Sequence, residues 1–131
     1  ILGSLNGVFF TDANTSKPTF ANHLLAANGA SDIKALVNDS PIQQYEIRSN
    51  NAGASAQTDV GNTADIAYTA GSTSNFVSGC TLDDSTLNNN AAQQIQVIGI
   101  SRDPENNDLT SANVVWRVII KQSLFNDLTG V

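Results

Sequence analysis

The chain is poor in the residues that support sulfur and proton chemistry. Its 131 residues include one cysteine, Cys80, and one histidine, His23. A single cysteine excludes a disulfide within the chain and leaves the redox compartment open. A chain of this length still buries roughly two thirds of the surface that its unfolded form exposes. It therefore needs neither a disulfide nor a metal ion to fold.

Charged residues are also scarce. They make up 14% of the chain, against the ~25% that is typical of soluble domains. Twelve acidic and six basic residues give a net charge of −6. Nucleic-acid binding depends on clustered cations, but the cations of this chain are scattered, at Lys17, Lys34, Arg48, Arg102, Arg117 and Lys121. We therefore expect no direct binding to nucleic acid or to an anionic membrane.

Long apolar runs are absent as well. No run approaches the ~18 residues of a transmembrane helix, and no segment has the basic-then-apolar order of a signal peptide. The length predicts one domain over residues 1–131. The chain starts at Ile1 rather than at a methionine, and its first ten residues are typical of the middle of a domain. We expect a further N-terminal segment before Ile1.

What the chain does contain is a series of short β-prone runs separated by polar loops. The clearest are residues 94–100 and 114–121. In the second run, the alternate residues that predict a buried face are Val114, Trp116, Val118 and Ile120. Shorter strands or strand-like segments are predicted at 1–12, 33–37, 42–49, 66–68, 76–77 and 81–82. The pattern predicts an all-β domain, a small antiparallel β-barrel or β-sandwich with long polar loops.

No convergent set of catalytic residues is visible. His23 has no Gly-x-Ser-x-Gly nucleophile motif to serve, so a polar loop residue is favoured over a catalytic base. Asp83 and Asp84 lack the spacing of a calcium loop, and an Asx-type turn is favoured there. Cys80 is predicted to be a small buried residue rather than a nucleophile. We expect no enzymatic activity, no cofactor and no metal ion.

The most distinctive polar segment is SRDPENND, within the long loop 101–113. Pro104 favours a turn there. Two interpretations remain open, a solvated loop with a well-defined turn or a loop that docks on another protein. The candidate contact residues of the second interpretation are Arg102, Asp103, Glu105, Asn106 and Asp108.

Several segments in succession resemble a family of tailed-bacteriophage virion proteins, the capsid decoration (cement, or head-stabilising) proteins. These segments are LNGVFFTDANTSKPTF, ASDIKALVNDSPIQQYEI, DVGNTADI, GSTSNFVSGCTLD and VIGISRDPENN. The resemblance implies a non-enzymatic protein that binds the major capsid protein on the outside of the head, at capsomer junctions, often as a homotrimer. Many copies would then stabilise the shell collectively. On this interpretation we expect the contacts in the N-terminal segment and in the loop 101–113.

One alternative is an adhesin or carbohydrate-binding module of a fibre or pilus, built on a β-sandwich. Such a module needs exposed aromatic side chains. Trp116, however, lies between valine and isoleucine residues and is predicted to be a core residue.

Overall fold

The structure is a computed structural model that describes residues 1–24, 29–106, 108–110 and 113–122. The described residues form nine strands and three short 3-10 turns, without an α-helix. The strands are β1 (Ser4–Thr11), β2 (Pro18–Ala21), β3 (Ser31–Asn38), β4 (Gln44–Arg48), β5 (Thr63–Ala64), β6 (Ile66–Ala67), β7 (Thr81–Leu82), β8 (Ile95–Ile100) and β9 (Val115–Ile120). The prediction of an all-β fold is confirmed.

All strand pairs within the three sheets are antiparallel, and the described residues contain no closed barrel. One sheet has the order β4-β9-β8-β5, and we call it the core sheet. A second sheet has the order β2-β1-β3, and we call it the arm. A small third sheet pairs β6 with β7.

The core forms on one side of the core sheet because its two long strands alternate strictly between buried and half-buried positions. Trp116 is completely buried, as the alternation predicted, and it packs among valine and isoleucine side chains of β8 and β9. Ala64 and Leu82, from two of the shortest strands, belong to the same cluster. Full burial of a valine, leucine or isoleucine side chain stabilises the fold by about 1.5–3 kcal/mol.

The arm lies outside this core. Every described side chain of the core cluster, or packed against it, belongs to the segment 45–120. The strands of the arm make extensive contacts only with one another. Contacts between described residues tie the arm to the rest of the chain. The Tyr45 hydroxyl donates a hydrogen bond to the Asn38 carbonyl oxygen at 3.1 Å, and the Asn38 amide donates to the Gln43 side-chain oxygen at 3.2 Å. The His23 ring stacks on Phe76 with 3.5 Å between ring centroids.

Most of the predicted strands are confirmed within a few residues of their predicted ends. The segment 76–77 is an exception, because Phe76 lies in a tight turn rather than in a strand. Its backbone has a φ of 57°, and its N–H donates to the Ser72 carbonyl oxygen at 3.0 Å. The prediction of extended structure there is wrong.

Candidate interaction surface

Large apolar side chains are exposed mainly in the arm and in the residues that lead into it. In these segments the exposed apolar residues are Ile1, Leu2, Leu5, Phe9, Phe20, Ile33 and Leu36. Elsewhere in the described chain they are fewer, namely Ile42, Tyr68, Phe76 and Val77. Single exposed apolar residues are normal on a protein surface, whereas a contiguous group marks an interaction site.

Strand register brings part of this group onto one face of the arm. Phe9 lies in the central strand, directly opposite Phe20 on one side and Lys34 on the other. Leu36 pairs with Gly7, which lies two residues before Phe9 and so on the same face. The Phe20 ring packs over Gly7, at the place that an added Cβ would occupy. We call this surface, made of Phe9, Phe20, Lys34 and Leu36, the open face.

The two faces of the arm differ in their exposure. Val8 and Phe10, which alternate with Phe9 along β1, are almost completely buried. On the open face, Phe9 is 43% exposed, Phe20 59% and Leu36 49%. The face of Val8 is covered only in part, because Ala35, opposite Val8, and Ile33 in the same strand are exposed. Both faces of the arm therefore carry exposed apolar residues, and the open face carries its two exposed phenylalanines.

Asn106, in the loop 101–113 that was predicted as a candidate contact region, has a clear structural task. The Asn106 amide donates to the Val115 carbonyl oxygen at 2.8 Å, and its carbonyl oxygen accepts from the Val115 N–H at 2.9 Å. The Asn106 side chain therefore bonds both backbone groups of Val115, the first residue of β9, as a neighbouring strand would. It is half-buried.

The other candidate contact residues of this loop are exposed. Asp103 accepts from the Glu105 N–H at 3.0 Å, and Asp108 accepts from the Thr110 N–H at 2.9 Å, so both form Asx-type turns. Within the described part of the chain, the side chains of Arg102 and Glu105 form no hydrogen bond or ion pair, so both are available to a partner.

The structure does not bring the loop and the N-terminus together. The loop leads into Val115 at the start of β9, whereas the Ile1 amino group contacts the Gln122 carbonyl oxygen beyond its end. Six residues of extended strand span roughly 20 Å. The two predicted contact regions therefore lie at opposite ends of the core sheet.

The Asx-type turn predicted at Asp83 is confirmed, because its side chain accepts from the Ser85 N–H at 3.1 Å. Asp84 differs from its neighbour. It is only 6% exposed, and its Oδ2 accepts from the Ser49 hydroxyl. Its N–H donates to the Asn50 side chain at 3.1 Å. The hydrogen bonds of Asp84 with Ser49 and Asn50 thus join the segment after β7 to the segment after β4.

The environment of Asp84 disfavours its charged form. Burial is the main cause that raises the pKa of this carboxyl, and the nearby carboxylates of Asp59 and Asp83 act in the same direction. The hydrogen bond from Ser49 opposes them. The second carboxyl oxygen, Oδ1, is buried and has no hydrogen-bond partner among the described residues. A carboxyl group in such surroundings favours its protonated form.

A groove of about 350 Å³ lies between the N-terminal residues and the core sheet. Its lining includes Ile1, Tyr45, Ile47 and Ile95. Cys80 also lines it and is half-buried, so the prediction of a small residue in apolar surroundings is only partly confirmed.

The described residues contain no group of three or more histidine, cysteine, aspartate or glutamate side chains that could hold a metal ion. His23 Nδ1 lies within hydrogen-bond distance of Asn22 Oδ1, at 2.7 Å, and the His23 ring stacks on Phe76. Both contacts are with described residues, and both hold the ring in place. None of the helical segments described is long and apolar enough to cross a membrane.

The surface that sequence reasoning missed is the open face. Its best signal was the unbroken apolar run in β1, where Val8, Phe9 and Phe10 leave no polar position for a solvated face. Comparisons with models of protein families, with curated proteins and with solved structures found no match.

Proposed function

We propose that this chain is a capsid decoration protein of a tailed bacteriophage. On this proposal it binds the major capsid protein on the outside of the head, at capsomer junctions, self-associates as a homotrimer, and stabilises the shell without enzymatic activity. The observation that carries the proposal is the apolar open face of the arm, which lies outside the core and is covered by none of the described elements. The resemblance in sequence supplies the class of partner.

The physical argument is that a protein does not expose several neighbouring aromatic and aliphatic side chains without a partner for them. Aromatic side chains are enriched at the centres of protein–protein interfaces. A decoration protein needs such a surface on a rigid scaffold, and it needs no activated side chain. Repetition over a shell then turns a modest single contact into a stable coat.

The test uses purified phage heads that lack this protein. The full-length chain is added over a range of concentrations, the heads are sedimented, and bound protein is quantified against the major capsid protein. We expect saturable binding at a fixed ratio and release of DNA at a higher temperature once the sites are filled. An acidic protein of similar size serves as the control.

If the chain stays in the supernatant at every concentration, the proposal is wrong. Screening against oligosaccharides would then address the adhesin alternative, starting from the exposed Tyr68 rather than from the buried Trp116.

A further inference from the structure

We infer that the open face is the surface that docks on the shell, and that the shell protein offers it an apolar patch bearing a carboxylate that pairs with Lys34. This inference rests on the proposed function and adds to it the contact surface and the chemistry of the partner. It places the main contact on the arm rather than on the loop 101–113.

The first argument is the continuity of the surface. The cross-strand pairs Phe9–Phe20 and Phe9–Lys34 place three side chains in a row across all three strands. Opposed side chains on one face lie about 5 Å apart at their Cβ atoms. The row is therefore roughly 10 Å wide, and Leu36 extends it along β3. A patch of this shape suits the centre of an interface, where a few large side chains supply most of the binding energy.

The second argument is the charge within this patch. Lys34 is exposed, and its ammonium group forms no ion pair with any carboxylate of the described residues. Docking of the neighbouring phenylalanine rings on an apolar surface would remove water from this charge. An unpaired desolvated charge is costly, whereas a pair with good geometry recovers much of that cost. A partner that covers Phe9 and Phe20 offsets this cost if it places a carboxylate opposite Lys34.

The same charge argues against a second copy of this chain on this face. In a two-fold contact, the same surface of both copies meets. Two open faces in contact would therefore bring both Lys34 ammonium groups into one desolvated patch. Like charges in such surroundings repel each other strongly. A cyclic homotrimer is different, because its contacts join two different surfaces of neighbouring copies. Sedimentation of the free variants, described below, tests whether the open face is one of those surfaces.

The experiment measures binding of full-length variants to heads that lack this protein, with thermal unfolding checked for each variant. Lys34→Glu and Phe20→Ser are the test variants. Lys17→Glu is the matched control, because it makes the same change of charge in the same arm but lies in the turn before β2, off the open face.

We expect Lys34→Glu and Phe20→Ser each to weaken head binding at least tenfold, with Lys17→Glu within twofold of the unmodified chain. The inference is overturned if Lys34→Glu binds as tightly as Lys17→Glu while the unmodified chain binds normally. Sedimentation of the free protein supplies a second readout. If Lys34→Glu or Phe20→Ser abolishes self-association instead of head binding, the open face contacts another copy and the inference is wrong. Failure of the unmodified chain to bind heads would overturn the proposed function itself.

Discussion

Asn106 allows the sharpest distinction between a contact residue and a structural one. Its side chain forms two short hydrogen bonds with Val115 and a longer one, 3.4 Å, with the Ser101 carbonyl oxygen. Asn106→Ala removes all three. The Val115 carbonyl oxygen keeps a partner, the Ser101 N–H at 2.9 Å, but the Val115 N–H loses its acceptor.

The expected loss follows from these bonds. A typical hydrogen bond contributes about 1 kcal/mol net, and an orphaned N–H adds to the cost, so Asn106→Ala should lower the free energy of unfolding by about 2 kcal/mol. With an unfolding entropy of ~2.1 cal/mol/K per residue, this corresponds to a fall in Tm of about 7 °C. Asn106→Asp keeps the acceptor but not the donor, so its loss should be intermediate.

Urea unfolding followed by tryptophan fluorescence measures the effect. Glu105→Ala is the matched control, because Glu105 lies in the same 3-10 turn and its side chain forms no hydrogen bond with any described residue. Its effect should stay within about 0.5 kcal/mol. If Asn106→Ala and Glu105→Ala unfold at the same urea concentration, the assignment of Asn106 as a backbone partner is refuted.

Three further predictions concern the core and the loops. The raised pKa of Asp84 means that the folded protein binds the carboxyl proton more tightly than the unfolded chain does. The protonated carboxyl therefore contributes its full stabilisation below the ordinary aspartate pKa. This stabilisation is lost as pH rises through the pKa of Asp84 in the folded protein. Asp84→Asn should therefore gain stability relative to the unmodified protein as pH rises from 4 to 7 in urea titrations, and a constant difference would contradict this. Trp116, the only tryptophan, should resist iodide quenching in the native state and become quenched in urea; equal quenching in both states would refute its burial. Gly79→Ala should lower the free energy of unfolding by about 1–3 kcal/mol, because its Cβ would lie 2.7 Å from two backbone carbonyl oxygens. Gly7→Ala should cost less, because the obstacle there is the Phe20 ring, which can rotate. Equal thermal unfolding midpoints for the two variants would contradict this reasoning.

The long strands of the core sheet could be predicted because their burial is decided locally. Alternating valine and isoleucine residues in 94–100 and 114–121 suit one pleated surface whatever lies beside it. The short strand Thr63–Ala64 could not be predicted in this way. Thr63 is buried because its hydroxyl bonds with Asn88 and Asn90, which are distant in sequence.

The candidate site was harder to predict than the fold. Polar character alone made the residues of the loop 101–113 look alike, and the sequence gives no sign that Asn106 turns inward to Val115 while Glu105 does not. The open face escaped prediction for another reason. Its four residues come from three strands, and only the pairing of β1 with both neighbours brings them together. The strand Pro18–Ala21 lies outside the predicted strands, because proline is rare inside sheets.

The position of the arm outside the core has a consequence for the order of events during synthesis. Among the described strands, those of the arm pair only with one another, so this pairing can form as soon as residue 38 has left the ribosome. The core must wait for β9, which pairs with β4 and β8. A nascent chain therefore carries a finished sheet with an apolar surface while most of the protein is unfolded. Exposed surfaces of this kind invite aggregation and recruit chaperones. Newly made copies should consequently depend on chaperones until the open face is covered.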